Sequence, residues 1–172
     1  IVFDGYIAGK GRPLLRLPIA ATATPAEPQV ALMPERDESF SGCLALPGQA
    51  MPADGSLPKL LIHRWHVPSR EYQVVVVDPR DRRQDRILVH SAQSLYYLAV
   101  SADGSTLLYY RRNGQPPSWS LVAQAVAEDG PGRALPFRTT MPMPPALTAD
   151  GRHLVLYQQQ GLYMVDLVGV KE

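Results

Sequence analysis

Leu95-Tyr96-Tyr97-Leu98-Ala99-Val100-Ser101-Ala102-Asp103-Gly104-Ser105-Thr106-Leu107-Leu108-Tyr109-Tyr110 is an apolar run, an Asp-Gly pair and a second apolar run. A tight turn between antiparallel strands needs a residue at positive φ, which glycine reaches without steric cost. The aspartate before it accepts hydrogen bonds from backbone N–H groups just ahead and so fixes the turn. The stretch therefore predicts a β-hairpin. Pro145-Ala146-Leu147, Thr148-Ala149-Asp150-Gly151 and His153-Leu154-Val155-Leu156-Tyr157 follow one another in the same form.

The Asp-Gly pair recurs at Asp4-Gly5, Asp54-Gly55, Asp103-Gly104 and Asp150-Gly151, at separations of 50, 49 and 47 residues. A period of roughly 40 to 50 residues is a signature of β-propeller blades, each a four-stranded sheet. The expected fold class is all-β: a β-propeller, or a segment of one, with three to four four-stranded antiparallel blades. Residues 40–93 read as one blade, with strands at Phe40–Leu46, Lys59–Trp65, Glu71–Asp78 and Arg86–His90. A Pro/Gly-rich connection from Pro47 to Pro58 carries Asp54-Gly55. Residues 94–140 read as a second blade and 141–172 as an incomplete one with three strands. Residues 1–39 form a weaker first blade, interrupted by an Ala/Thr/Pro-rich linker from Ala20 to Pro28. No stretch keeps a helical apolar period free of Pro or Gly, so Leu121–Val126 is assigned to a strand by its place in the repeat.

The chain has 172 residues, 45% of them apolar and 19% charged, enough for a buried core. Seventeen prolines and thirteen glycines fit a turn-rich all-β chain. A net charge of +1 gives no electrostatic footprint for nucleic acid, and no apolar run is long enough for a transmembrane helix. Cys43, the only cysteine, reads as a small buried hydrophobe. The chain opens on Ile1-Val2-Phe3 and reads as a processed or partial stretch of a longer protein.

The Ala-Asp-Gly turn, the apolar strand after it and Gly161-Leu162-Tyr163-Met164-Val165-Asp166-Leu167 together resemble the repeat of Tol-type (TolB-like) β-propellers. Tyr72-Gln73-Val74-Val75-Val76-Val77-Asp78 resembles the same closing strand. The resemblance runs from Phe40 to Leu167. Ala replaces the family's usual Pro before the Asp, and Ser120-Leu121-Val122-Ala123-Gln124 lacks the closing Val-x-Asp. It implies an extracytoplasmic bacterial location, in the periplasm or at the cell envelope. It transfers no activity, because blades host many functions.

Residues with chemical potential have sufficient structural roles. Asp54, Gly55, Asp103, Gly104, Asp150 and Gly151 are read as turn residues. Asp4 and the three turn aspartates could in principle line a calcium-binding channel, but the turns account for them. No Gly-x-Ser-x-Gly elbow occurs, and no Ser, His and Asp spacing suggests a triad. No catalytic, cofactor or metal residue is assigned. His63 and His66, three apart on a strand, point to opposite faces and are read as surface or strand-end positions. The run Asp78–Arg86 reads as a solvated hairpin with partly paired charges, or as a surface for an acidic protein. Paired tyrosines such as Tyr96-Tyr97 and Tyr109-Tyr110 are expected to pack between blades, one residue on each face. Trp65, Arg82, Arg83 and Trp119 are the candidates for partner contact, since Trp and Arg dominate binding hot spots.

The resulting expectation is a non-catalytic interaction module. It would present its loop faces to a protein partner or to subunits of a larger assembly. The alternatives are a gating or regulatory propeller of a larger hydrolase, and a structural accessory subunit of a large complex.

Overall fold

A computed structural model describes residues 2–4, 13–16, 29–49, 52–53, 56–127, 132–148, 152–158 and 161–167. Among the described residues the chain is all-β, built from four antiparallel sheets in sequence order. The first holds β1 (Val2–Asp4), β2 (Leu14–Arg16) and β3 (Gln29–Leu32). The second holds β4 (Glu38–Ala45), β5 (Leu60–His66), β6 (Glu71–Val77) and β7 (Arg86–Ser91). The third holds β8 (Leu95–Val100), β9 (Thr106–Asn113), β10 (Ser118–Ala125) and β11 (Arg133–Thr139). The fourth holds β12 (Ala146–Leu147), β13 (His153–Gln158) and β14 (Gly161–Asp166). Each sheet is an up-and-down meander, and β1, β4, β8 and β12 run side by side in that order. No helix among the described residues is long and apolar enough to cross a membrane.

Period-two alternation explains how the sheets stack, because successive side chains on a strand leave opposite faces. In β5, Leu60 and Ile62 pack with Val75, Val77, Phe40 and Leu32 in a core between the first and second sheets. Leu61 points the other way, to join Val74, Val76, Leu107, Tyr109 and Val122 between the second and third. Leu108, Tyr110, Leu121 and Ala123 then meet Leu154 and Leu156 between the third and fourth. Tyr109 and Tyr110 thus serve two cores from adjacent positions, as alternation predicts, and both are buried. The valine run of β6 is buried on both faces.

The Asp103-Gly104 turn has the geometry its residues dictate. Gly104 sits at φ +72°, and Asp103 Oδ1 accepts from the Ser105 N–H at 3.0 Å and from the Ser101 hydroxyl. Ser101 closes the hairpin: its N–H donates to the Thr106 carbonyl at 2.9 Å, and its Oγ accepts from the Thr106 N–H at 2.9 Å. Thr148 and His153 repeat both bonds in the fourth sheet, at 3.0 and 3.1 Å. In the second sheet Leu46 holds the equivalent position: its N–H donates to the Lys59 carbonyl at 3.4 Å, but it has no hydroxyl to accept the second bond. There β4 and β5 are joined by the long connection 46–59. In the first sheet Asp4 pairs with Leu14 at the end of β1. Asp54, Gly55, Asp150 and Gly151 lie outside the described residues, as do Gly5, the 6–8 strand and the 20–28 linker.

Alternation fails at Tyr96-Tyr97. The β8 register jumps between Tyr96 and Ala99, and Tyr97 adopts φ +45°. This bulge turns both rings out, leaving them 47% and 41% exposed instead of packed between sheets.

Candidate functional site

Two bulges face each other where the second and third sheets meet. The β4 register skips Ser41 between Phe40 and Gly42, opposite the β8 bulge at Tyr97-Leu98. Between them opens a cleft of about 480 Å³ lined by residues that include Ser41, His63, Tyr72, Tyr96, Tyr97 and Leu98. Both strands are edges of their sheets. Bulges at such edges are a common way of re-aiming side chains.

His63 lies at the centre of β5, buried rather than on the surface or at a strand end. The second sheet is covered on both faces there, so alternation gives no exposed position. Its Nδ1 lies 2.8 Å from Ser41 Oγ, and its ring stacks on Tyr72 with centroids 6.0 Å apart. Its Nε2 is buried without a hydrogen-bond partner. Burial pushes the His63 pKa down to about 4, so the ring is neutral at physiological pH. His66 ends the strand and contacts Ser69 Oγ at 2.8 Å.

The tryptophans stand behind the cleft. Trp65 packs edge-on to Tyr72 at 4.7 Å and Trp119 edge-on to Tyr96 at 4.8 Å, so each props a tyrosine of one wall. Both are half-buried; sequence reasoning gave them no tyrosine partners, did not single out Ser41 and placed His63 at the surface or a strand end. The missing signal was the bulges, which displace the alternation that period-two reading assumes.

The two arginines separate. Arg83 is an exposed side chain paired with Asp81 at 2.8 Å. Arg82 turns inward: its Nη2 donates to Glu38 Oε1 at 2.9 Å and its Nε to Asp85 Oδ2 at 2.8 Å. Glu38 Oε2 also accepts from Arg64, whose Nε donates to Gln73 at 2.9 Å. Burial opposes the Glu38 charge, but the Glu35 N–H and the Arg82 and Arg64 guanidinium groups outweigh it and hold the carboxyl below its usual range. The Asp78–Arg86 segment is therefore only partly a solvated hairpin. Arg82 and Asp85 bind it to the second sheet, and Arg82 is occupied within the chain.

The fourth sheet carries a second feature. Its register opposes Leu154 to Val165 and Leu156 to Tyr163; Leu154, Leu156 and Val165 pack toward the third sheet, while Tyr163 at the end of that face is 53% exposed. Val155 pairs with Met164 and Tyr157 with Leu162 on the other face. There Leu162 is 74%, Met164 70% and Tyr157 52% exposed. Matching the two hairpins by their turn bonds makes Val155 and Tyr157 the equivalents of Leu108 and Tyr110, both buried under the fourth sheet. Leu61 holds the same place in the second sheet and is buried under the third.

Comparison of the chain with protein-family models, with curated proteins and with solved structures yields no match.

Proposed function

We propose that the four sheets are successive blades of a β-propeller segment of the Tol-type (TolB-like) class. In this reading the chain is a non-catalytic interaction module, in an extracytoplasmic bacterial compartment on the strength of the resemblance alone. Its protein partner covers the outer face of the fourth sheet. The occupant is an antiparallel sheet that presents two apolar side chains at the spacing of Leu154 and Leu156. One observation carries this reading: Leu61, Leu108 and Val155 hold equivalent positions, and only the last has no sheet packed over it among the described residues. An exposed apolar face of this kind marks an interaction surface on a soluble domain. The side-by-side order of β1, β4, β8 and β12 supports the blade arrangement, since first strands line a propeller's axis.

Sedimentation velocity and binding of the dye 1-anilinonaphthalene-8-sulfonate test the reading. The chain should bind the dye and self-associate, and Leu162→Lys/Met164→Lys should abolish both while leaving the urea midpoint unchanged. A dye-silent, monomeric parent chain, or a double variant that fails to fold, would overturn it.

A further inference from the structure

We propose that the cleft between β4 and β8 binds the ring of a neutral saccharide, packed against the tyrosine walls and hydrogen-bonded to Ser41. This site is separate from the outer face of the fourth sheet and does not rest on the propeller reading.

Charge restricts the ligand first. Among the described residues no Asp, Glu, Lys or Arg lines the cleft, and the His63 imidazole is held neutral by its burial. A charged ligand would lose its hydration and gain no counter-charge.

Surface chemistry restricts it further. Tyr72, Tyr96 and Tyr97 supply flat apolar faces, and with Leu98 and Pro144 they form walls that exclude water from one side of a ring. The same walls bear three phenol hydroxyls and Ser41 Oγ. A wholly apolar ligand would strip water from any tyrosine hydroxyl it covers, at a cost of roughly 1–3 kcal/mol each, and would leave Ser41 Oγ with its His63 contacts alone. A pyranose meets both demands. Its C–H face is weakly positive and suits the negative face of an aromatic ring, while its rim of hydroxyls donates and accepts.

Preorganisation is visible in the backbone. Tyr97 is held in the left-handed region, a conformation that costs a non-glycine residue about 1–2 kcal/mol. Strain of this sort clusters at binding sites, and here it sets the ring at the cleft mouth. Ser41 stands at the opposing bulge, held at 2.8 Å by a histidine whose other nitrogen has no partner. Trp65 and Trp119 fix two of the three tyrosines from behind.

Saturation-transfer NMR and calorimetry, with the methyl glycosides of glucose, galactose, mannose and N-acetylglucosamine as probes, test the inference. At least one should bind. Its affinity should fall at least fivefold in Tyr97→Gly, which suits the positive φ and so preserves the backbone, and in Ser41→Ala. Tyr163→Ala, on the fourth sheet, should leave it unchanged. Para-cresol serves as a mimic of an aromatic peptide side chain. Binding of the cresol alone, binding of no probe, or glycoside binding that both cleft variants retain would each overturn the proposal.

Discussion

Gln124 of β10 donates from Nε2 to the main-chain carbonyl of Leu88 in β7 at 2.8 Å, across the gap between two sheets. Its Oε1 accepts from the Tyr109 hydroxyl at 3.4 Å, and Arg86 Nη2 donates to the Val126 carbonyl beside it. These cross-links satisfy main-chain carbonyls that apolar packing alone would leave unpaired. Gln124→Met keeps the volume and removes both bonds. It should lower stability by about 1–3 kcal/mol in urea denaturation. An unchanged midpoint would mean that water reaches the Leu88 carbonyl.

Equivalent positions should respond unequally to truncation. Leu108→Ala opens a cavity beneath the fourth sheet and should cost about 2–5 kcal/mol. Val155→Ala, at the matching position but only half-buried, should cost less, about 1 kcal/mol or below. Equal losses in chemical denaturation would show that something covers Val155.

His63 gives stability a pH dependence whose sign follows from its shift. Its folded pKa of about 4 lies below the ordinary 6.5, so the unfolded chain binds the proton more tightly. The contribution is full above pH 6.5 and is lost progressively as pH falls toward 4. A shift of this size corresponds to about 3 kcal/mol. Glu38, with its lowered carboxyl pKa, adds acid sensitivity only below its unfolded value of 4.5. Urea midpoints for His63→Gln should therefore vary less than the parent's between pH 7 and pH 5.

Arg82 and Arg83 are neighbours with opposite consequences. Arg82→Ala leaves the buried Glu38 carboxylate short of a partner and should cost about 2–4 kcal/mol. Arg83→Ala removes an exposed pair and should fall within about 0.5 kcal/mol of the parent. Thermal melts of the two variants decide the matter. A stable Arg82 variant would show that Arg64 alone suffices for Glu38.

Gly132 has no room for a side chain. A methyl there would lie 2.7 Å from the Ala123 carbonyl oxygen and from Val122 Cγ1, so β10 and β11 would have to part. Gly132→Ala should cost about 1–3 kcal/mol, with faster amide exchange along β11 as its local sign.

Strand positions from Phe40 to Leu167 could be read from alternation and turn residues, because hairpins are local and their chemistry is written within a few residues. The Asp103 turn is the clearest instance, down to its glycine. The cleft was not legible for the opposite reason. Ser41 and His63 meet across a bulge, and a bulge is a register slip with no residue signature at Phe40-Ser41-Gly42. The same slip at Tyr97 misled the assignment of the Tyr96-Tyr97 pair. Glu38 and Arg82 lie far apart along the chain, and only the folding of the β6–β7 loop against β4 brings them together. Leu162 and Met164 look like core residues in any strand, and composition cannot tell whether a strand's second face is covered.

Leu60 and Leu61 are joined by a peptide bond yet belong to different cores, one shared with Phe40 and the other with Leu107. The pattern recurs at Leu107-Leu108. Energetic neighbourhood in this chain thus runs across sheets, while bonded neighbours stand back to back. The second and third sheets are each a wall between two rooms. A defect introduced in one room reaches the next only by moving the wall, and the backbone hydrogen bonds of a four-stranded sheet resist that movement. Such a chain can accumulate change in one core at a time, without retuning the others.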